Sequence, residues 1–230
     1  EEAYPPYQRP PLSKAFLAGE LDAKRLFFKP ERYYPDHNIE LELNTRVESI
    51  DRKNKSVALN SGKQLDYDWL VLTTGSRVRK VPIPGSELAN VHYLRNIADV
   101  ETIRSGLTPG SNLVIVGAGY IGLEVAAIAK KWGRNVPVME MAERPLHRVV
   151  APELSDFYTK LHSDAGVDLR CNIHIESFSG NGAVTGVNLK NASTVPADMV
   201  IIGIGIVPNT ELAEAAGLTI DNGIAVDEFG

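Results

Sequence analysis

Runs of apolar residues that end in glycines divide the chain into the elements of an α/β fold. The segment Leu113–Val116 is entirely apolar and mostly β-branched, which predicts a strand buried on both faces of a parallel sheet. The apolar spacing that follows predicts a helix that ends at Gly133. Further strands are predicted over 135–139 and 199–202, and the latter is as apolar as the first.

The rest of the chain shows weaker patterns. Strands are predicted over 39–43, 46–51, 56–59, 64–67 and 68–72, with a turn at 60–62 and a glycine-rich hairpin turn at 180–182. One helix is expected to begin at Leu12, with Ser13 as its N-cap, and to end near Gly19. Another is expected over 151–165, with Pro152 in its first turn.

The glycines after the first buried strand form the pattern Gly-x-Gly-x-x-Gly. Gly117 permits a tight strand-to-helix turn, Gly119 allows backbone N–H groups to approach a pyrophosphate, and Gly122 lets helix and strand pack closely. Glu140 ends the next predicted strand, where a carboxylate accepts hydrogen bonds from a ribose and repels a 2′-phosphate. The pattern therefore predicts a dinucleotide site that favours NAD over NADP.

Composition narrows the function classes. The chain has 230 residues, and its content of 43% hydrophobic residues is ordinary for a folded α/β protein. Its formal net charge of −5 argues against general binding to nucleic acid or to an anionic membrane. No apolar run approaches the roughly 18 residues that span a bilayer. Cys171 is the only cysteine and is expected to lie in a strand as a buried small hydrophobe, which favours a reducing, cytoplasmic setting. The five histidines lack the spacing of a metal site, so no metal is expected.

Motifs along nearly the whole chain resemble one family. The chain resembles the NADH-dependent flavoprotein reductases of the ferredoxin, rubredoxin and putidaredoxin reductase type, in the pyridine nucleotide-disulfide oxidoreductase fold class. The first match is the Tyr-Gln-Arg-Pro-Pro-Leu-Ser-Lys segment at 7–14. The others lie, in family order, at 65–75, 93–95, 117–124, 148–152 and 203–209.

This resemblance implies a fold and an activity. The fold would be α/β, with a Rossmann-like NAD-binding domain over 96–218 inserted into a partial FAD-binding domain over 1–95 that resumes at 219–230. Hydride would pass from NADH to flavin N5, and single electrons would then pass to an iron–sulfur protein that supplies an oxygenase. The flavin and nicotinamide would do this chemistry, so no catalytic acid or base is expected. Compared with the family, both ends of the chain are expected to be missing.

The resemblance also implies cofactor contacts. Lys14 would lie beside the flavin ring, and Tyr120 and Glu124, spaced i,i+4 on one helix face, would meet the nicotinamide and its carboxamide. Arg148 would contact the adenosine of NAD, with Arg144 as a second candidate. The residues expected at FAD are Glu1, Lys14, Val47, Thr74, Gly75 and Arg95. Those expected at NAD are Gly117, Gly119, Tyr120, Ile121, Gly122, Glu124, Glu140, Arg148, Gly203, Ile204 and Gly205.

Two other functions stay open at this point. One is a related flavoprotein with a different acceptor, such as a protein like apoptosis-inducing factor or a nitrite-reductase component. The other is a module that binds NAD without catalysis. Disulfide-reductase chemistry is disfavoured because the segment 9–20, where such enzymes carry a redox cysteine pair, contains no cysteine.

Overall fold

A computed structural model describes residues 2–108 and 110–230. They divide into two compact units, each assembled from separate stretches of sequence. The smaller unit comprises the residues up to 7, 27–77 and 206–230, and the larger comprises 8–26 and 78–205. The domain limits at residues 95 and 218 stay a prediction from the sequence.

Short strands outnumber helices among the described residues. The helices are α1 (Tyr33–Asp36), α2 (Ile97–Gly106), α3 (Tyr120–Lys131), α4 (Pro152–Asp164) and α5 (Glu211–Ala215). The strands up to residue 116 are β1 (Val47–Asp51), β2 (Ser56–Leu59), β3 (Gln64–Asp66), β4 (Ser76–Val78), β5 (Val91–Tyr93) and β6 (Leu113–Val116). The later strands are β7 (Pro137–Met139), β8 (Asp168–Arg170), β9 (Ile175–Asn181), β10 (Ala183–Leu189), β11 (Thr194–Pro196), β12 (Met199–Ile202) and β13 (Ile206–Pro208).

The larger unit is built on a five-stranded parallel sheet with the order β5-β12-β6-β7-β8. β6 and β12 pair in register, with Leu113 opposite Met199 and Val116 opposite Ile202. Every residue of both strands is buried. Strands this apolar require cover on both faces of the sheet, and two further layers supply it.

The two faces of β6 and β12 pack against different layers. Val114 and Val200 belong to a core shared with an antiparallel sheet of order β11-β10-β9, which covers one face. Ile115 lies against Gly122 of α3, and Met199 reaches Gly106 of α2, so helices cover the other face. This alternation follows from the two-residue period of a strand.

Two strands, two helices and a turn predicted for this unit are confirmed. β6 and β12 have the predicted bounds, and α3 is followed by Gly133 with a φ of +73°, as expected for a glycine after a helix. α4 begins with Pro152 in its first turn. The segment at 180–182 is a hairpin turn, because Asn181 pairs with Ala183 across Gly182.

α4 exposes apolar side chains to solvent. Leu154, Phe157 and Leu161, spaced i,i+3 and i,i+7, are each 50% exposed or more. Ser155 on the opposite side is fully buried, where its hydroxyl donates to the Pro145 carbonyl and accepts from the Arg144 guanidinium. The polar side of this helix therefore faces the protein.

The smaller unit contains an antiparallel sheet of order β1-β2-β3. β2 has the predicted bounds, and the turn predicted at 60–62 joins it to β3, where Gly62 donates to the Leu59 carbonyl. β4 pairs with β13, and α5 contacts β1.

Two strands predicted for this unit are wrong. The residues 39–43 and 68–72 form no strand, and the second stretch is not buried, with Trp69 91% and Val71 81% exposed. A strand is stable only when a neighbour pairs with its backbone N–H and C=O groups. No strand among the described residues pairs with either stretch.

The helix predicted from Leu12 with Ser13 as its N-cap is also wrong. The chain forms a 3₁₀ segment over Pro10–Ser13 and continues in turns to Gly19, and Ser13 ends that segment instead of capping a helix. Two successive prolines have no N–H to donate, which favours a short, tight turn here. Cys171 follows β8 instead of lying within a strand, and it is only partly buried.

No helix within 2–108 and 110–230 has both the length and the apolar character that crossing a membrane requires.

We expect Ile201→Ala to lower the free energy of unfolding by about 2–5 kcal/mol, because it leaves a cavity in the core beside the interior strand β12. Urea unfolding followed by circular dichroism measures this change. Leu161→Ala, which removes an exposed side chain of α4, should change it by less than about 0.5 kcal/mol. Equal losses of unfolding free energy in the two variants would contradict the burial of Ile201 in the core.

Candidate functional site

The loop between β6 and α3 is held by contacts that only glycine permits. Gly117 has a φ of +99°, and a Cβ added to it would lie 2.5 Å from the Gly203 carbonyl oxygen. A Cβ on Gly122 would lie 2.0 Å from the Gly117 carbonyl oxygen. The backbones of the loop, of α3 and of the segment after β12 therefore touch directly.

Gly119 lies at the edge of open space. It is the N-cap of α3, has extended backbone angles and offers no side-chain hydrogen bond to the helix. A Cβ added there would meet only the Gly203 carbonyl oxygen, at 3.8 Å. An anionic group can thus approach the first N–H groups of α3, which fits the predicted pyrophosphate contact.

Glu140 is bound to the backbone on both sides of its carboxylate. Its Oε2 accepts from the Ala118 N–H at 2.7 Å, and its Oε1 accepts from the Ala142 N–H at 2.8 Å. Each carboxylate oxygen has a second lone pair, so the group can still accept bonds from a ribose. The geometry is compatible with the predicted role and adds a structural one.

Glu124, which is predicted at NAD, contacts Lys14, which is predicted at FAD. Lys14 Nζ lies 2.8 Å from Glu124 Oε1, and the Ser13 hydroxyl donates to Oε2 at 2.5 Å. Ser13 is buried, whereas the Glu124 side chain is 27% exposed. The structure therefore joins a predicted FAD residue and a predicted NAD residue through one carboxylate.

The proline-rich segment delivers Ser13 and Lys14 to this point. Leu12 is buried at 1% exposure and anchors the 3₁₀ segment, which contacts both α2 and α3. The Lys14 N–H donates to the Pro11 carbonyl and Lys14 Nζ to the Pro10 carbonyl, at 3.0 and 3.2 Å. These bonds set the direction in which the lysine side chain leaves the backbone.

Arg95 is tied to the same segment. Its carbonyl accepts from the Arg9 guanidinium at 2.8 Å, and its N–H donates to the Asp99 carboxylate at 2.8 Å. Asp99 also completes a capping box with Asn96 at the start of α2. The backbone of Arg95 is therefore fixed from two sides.

The segment after β12 borders the loop between β6 and α3 and is fixed by backbone hydrogen bonds. The Gly203 N–H donates to the Val116 carbonyl at 2.8 Å, and the Gly205 carbonyl accepts from the Arg79 N–H at 2.9 Å. Ile204 packs against the core, and Ile121 on α3 is partly buried. The loops that follow β6, β7 and β12 therefore meet at the carboxyl edge of the parallel sheet, where α/β folds bind ligands.

Tyr120 and Arg148 lie at the surface. Tyr120 is 51% exposed on the first turn of α3, and Arg148 is exposed in the loop that follows Glu140. Arg144 has another role, because its guanidinium donates to Ser155 Oγ and to the Val150 and His147 carbonyls. It is therefore engaged in holding this loop.

The other predicted FAD residues belong to the smaller unit. Val47 begins β1, while Thr74 and Gly75 bind Asn209: the Thr74 hydroxyl donates to the Asn209 carbonyl at 2.6 Å, and the Asn209 N–H donates to the Gly75 carbonyl at 3.0 Å. The Asn209 side-chain amide also donates to the Thr74 carbonyl, at 2.9 Å. Glu1 lies outside the described residues.

Neither Ser13 nor Asn209 is among the cofactor-binding residues predicted from the sequence. The sequence predicts Ser13 as a helix cap, and its partner Glu124 is 111 positions away in sequence. Asn209 stands in the 203–209 motif, which is the signal that could have drawn attention to it.

Burial shifts the pKa of three titratable side chains outside this cluster. Burial lowers the pKa of His92 and of His162, so both favour the neutral form. Burial raises the pKa of the Cys171 thiol, as does the negative charge of Glu140, and this keeps it protonated. Within 2–108 and 110–230, no group of three or more histidine, cysteine or acidic residues is placed to hold a metal ion.

Comparison with known proteins gives consistent matches over the whole chain. A family model described as Pyridine nucleotide-disulphide oxidoreductase matches residues 1–230. Rhodocoxin reductase of Rhodococcus erythropolis is 42% identical over 97% of this chain and 53% of its own length. Putidaredoxin reductase of Pseudomonas putida is 44% identical over 97% of this chain and 54% of its own length.

Solved structures agree with these matches. A ferredoxin reductase from Rhodopseudomonas palustris superposes with a TM-score of 0.94 at 42% identity, covering 99% of this chain and 56% of that chain. Putidaredoxin reductase in its covalent complex with putidaredoxin gives 0.95 at 44% identity, with coverage of 99% and 56%. The chain spans about half the length of the curated relatives it matches.

We expect Glu140→Ala to lower the free energy of unfolding even without a nucleotide, because it leaves the Ala118 and Ala142 N–H groups without their acceptor. The loss should be about 1–3 kcal/mol for the buried Ala118 N–H alone. Urea unfolding measures it. Glu143→Ala, which removes a neighbouring exposed carboxylate, should change stability little; an equal effect of the two would argue that the Glu140 bonds do not stabilise the loop.

Proposed function

This chain belongs to the pyridine nucleotide-disulphide oxidoreductase family, and from this premise we propose that it is part of an FAD-dependent enzyme that oxidises NADH and reduces an iron–sulfur protein. Family and fold class are as the sequence predicted. Relatives named putidaredoxin reductase and rubredoxin-NAD(+) reductase support a ferredoxin or a rubredoxin as the acceptor.

One observation carries the nucleotide part of this proposal. The backbone of the loop after β6 touches those of α3 and of the segment after β12, and the loop leaves open space at Gly119. The Glu140 carboxylate lies beside this loop. A loop that excludes side chains, opens to a helix N-terminus and carries an acid next to it suits a pyrophosphate followed by an unphosphorylated ribose. NAD(H) fits this combination better than NADP(H).

The residues near this loop take their roles from the same proposal. Gly117, Gly119, Ile121 and Gly122 form the pyrophosphate loop, and Glu140 accepts from the adenosine ribose, with Arg148 close by. Tyr120 and Glu124 take the nicotinamide half, with Glu124 accepting from the carboxamide, and the segment Gly203, Ile204 and Gly205 lines its path. The proposed FAD residues are Glu1, Lys14, Val47, Thr74, Gly75 and Arg95. Bound FAD and NADH supply the redox chemistry, and the protein holds and orients them.

The absence of a redox cysteine favours one-electron acceptors over disulfides. Cys171 follows β8, its pKa is raised, and the segment 9–20 holds no cysteine. A related flavoprotein with another acceptor, or a module that only binds NAD, are the alternatives that remain. A cytoplasmic location belongs to the same proposal, on the ground of cysteine use.

Calorimetric titration of the chain with NADH and with NADPH tests the proposal, with the visible spectrum recorded beforehand. We expect saturable binding of NADH that is tighter than that of NADPH. Flavin absorbance in the purified protein would exclude the module that only binds NAD. If neither nucleotide binds a chain that is folded by circular dichroism, the proposed nucleotide site is wrong.

We expect Glu140→Gln combined with Met141→Arg to reduce the preference for NADH over NADPH by at least about tenfold. The first change removes the negative charge that repels the 2′-phosphate of NADPH, and the second adds a cation that attracts it. Glutamine retains one acceptor for the loop N–H groups, and Met141 is exposed and adjacent. Met141→Arg alone is the matched control and should shift the preference less. An unchanged ratio of the two dissociation constants in the double variant would show that Glu140 does not read the ribose.

A further inference from the structure

Ser13 has a bond that its local structure does not require. It ends the 3₁₀ segment at Pro10–Ser13 and is buried at 5% exposure, and its hydroxyl points to Glu124 on another element. A buried hydroxyl needs a partner, but a nearby carbonyl would satisfy it equally well. The hydroxyl instead donates to a charged acceptor that lies 111 positions away in sequence.

The segment that carries Ser13 is anchored without this bond. Leu12, Phe16 and Leu17 are buried at 2% exposure or less, and the Arg9 guanidinium holds the Arg95 carbonyl at 2.8 Å. These contacts already fix the segment in the larger unit. The Ser13 hydroxyl is therefore not needed as its attachment.

The bond does restrict Glu124. A glutamate on a helix surface has three side-chain torsions, and its carboxylate samples several positions. Here a neutral hydroxyl holds Oε2 at 2.5 Å and a cation lies 2.8 Å from Oε1, so the plane of the carboxylate is defined by two donors on different atoms. With Lys14 alone, the carboxylate would be free to turn about that contact.

The restricted carboxylate remains available to a ligand. The Glu124 side chain is 27% exposed, and each oxygen keeps a lone pair beyond the bond it already accepts. Glu124 shares a helix face with Tyr120, which is 51% exposed, and lies roughly 7.5 Å along α3 from Gly119 at a rise of 1.5 Å per residue. That distance suits a group linked through a ribose to a pyrophosphate at the start of the helix.

We propose that Ser13 is a positioning residue for the nicotinamide half of the coenzyme, acting through Glu124: its hydroxyl holds the carboxylate in the orientation that accepts the carboxamide N–H. This inference rests on the proposed binding of NADH at α3. It assigns no contact between Ser13 and the coenzyme, and it distinguishes Ser13 from residues of the pyrophosphate loop.

Paired titrations with NADH and with ADP-ribose, which lacks the nicotinamide, test this inference on the chain. Ser13→Ala should weaken NADH binding by roughly twofold to tenfold, because the freed Glu124 carboxylate must then be ordered when the coenzyme binds, and it should leave ADP-ribose unchanged. Ser13→Thr keeps the hydroxyl and should stay within about twofold of the parent chain. Ser56→Ala, a buried serine of β2 in the smaller unit, is the matched control and should change neither affinity.

A double-mutant cycle shows whether Ser13 acts through Glu124. In a Glu124→Gln background, Ser13→Ala should add little further loss of NADH affinity, because the group it positions has already changed. An equal loss for NADH and ADP-ribose, an undiminished loss in the Glu124→Gln background, or no loss at all would overturn the inference. If Ser13→Ala does not fold, Ser13→Cys decides, since a thiol of similar size is a weak donor and should lower NADH affinity selectively.

The outcomes also separate this inference from the function on which it rests. If the parent chain binds neither NADH nor ADP-ribose, the proposed nucleotide site fails, and the inference fails with it. If the parent chain binds both and only the selective effect of Ser13→Ala is missing, the nucleotide site stands and the positioning role of Ser13 does not.

Discussion

The direct contact of backbones around Gly117 is the constraint on which the larger unit depends. β6, α3 and the segment after β12 approach so closely that a single Cβ at Gly117 or at Gly122 would collide with a carbonyl group. Because glycine has no side chain, the carboxyl ends of neighbouring strands can come together at these points and leave room at the start of α3. The strands β6 and β12 make this arrangement stable, because every residue of both is buried.

A second feature is the use of single carboxylates to connect distant parts of the larger unit. Glu140 joins the loop after β6 to the loop after β7, and Glu124 joins α3 to the proline-rich segment. In both cases the two carboxylate oxygens accept from different donors. The same groups that the family resemblance assigns to coenzyme binding are therefore themselves held in place by the elements around them.

What the sequence could predict depends on how local the determining interactions are. The sequence predicts β6, β12, α3 and the glycine loop correctly, because residues close together in sequence determine strand burial, helix spacing and turn conformation there. The stretch 68–72 has the composition of a buried strand, but its exposure depends on pairing, which composition does not report. The prediction of Ser13 as a helix cap is wrong for the same reason, since the partner of its hydroxyl is on α3 and no local pattern identifies it. Asn209, which binds Thr74 through both its backbone and its side chain, is a further case of a contact between distant positions.

The two bonds to Glu140 have a thermodynamic consequence for association. A free glutamate side chain gives up roughly 1.5–2 kcal/mol of rotational freedom when it is immobilised. Here the Ala118 and Ala142 N–H groups already fix this side chain in the folded protein, so that entropy is lost during folding and not when a nucleotide arrives. In the role proposed for Glu140, recognition of the ribose would start from a preorganised acceptor, and the free energy of that contact would contribute to affinity almost undiminished.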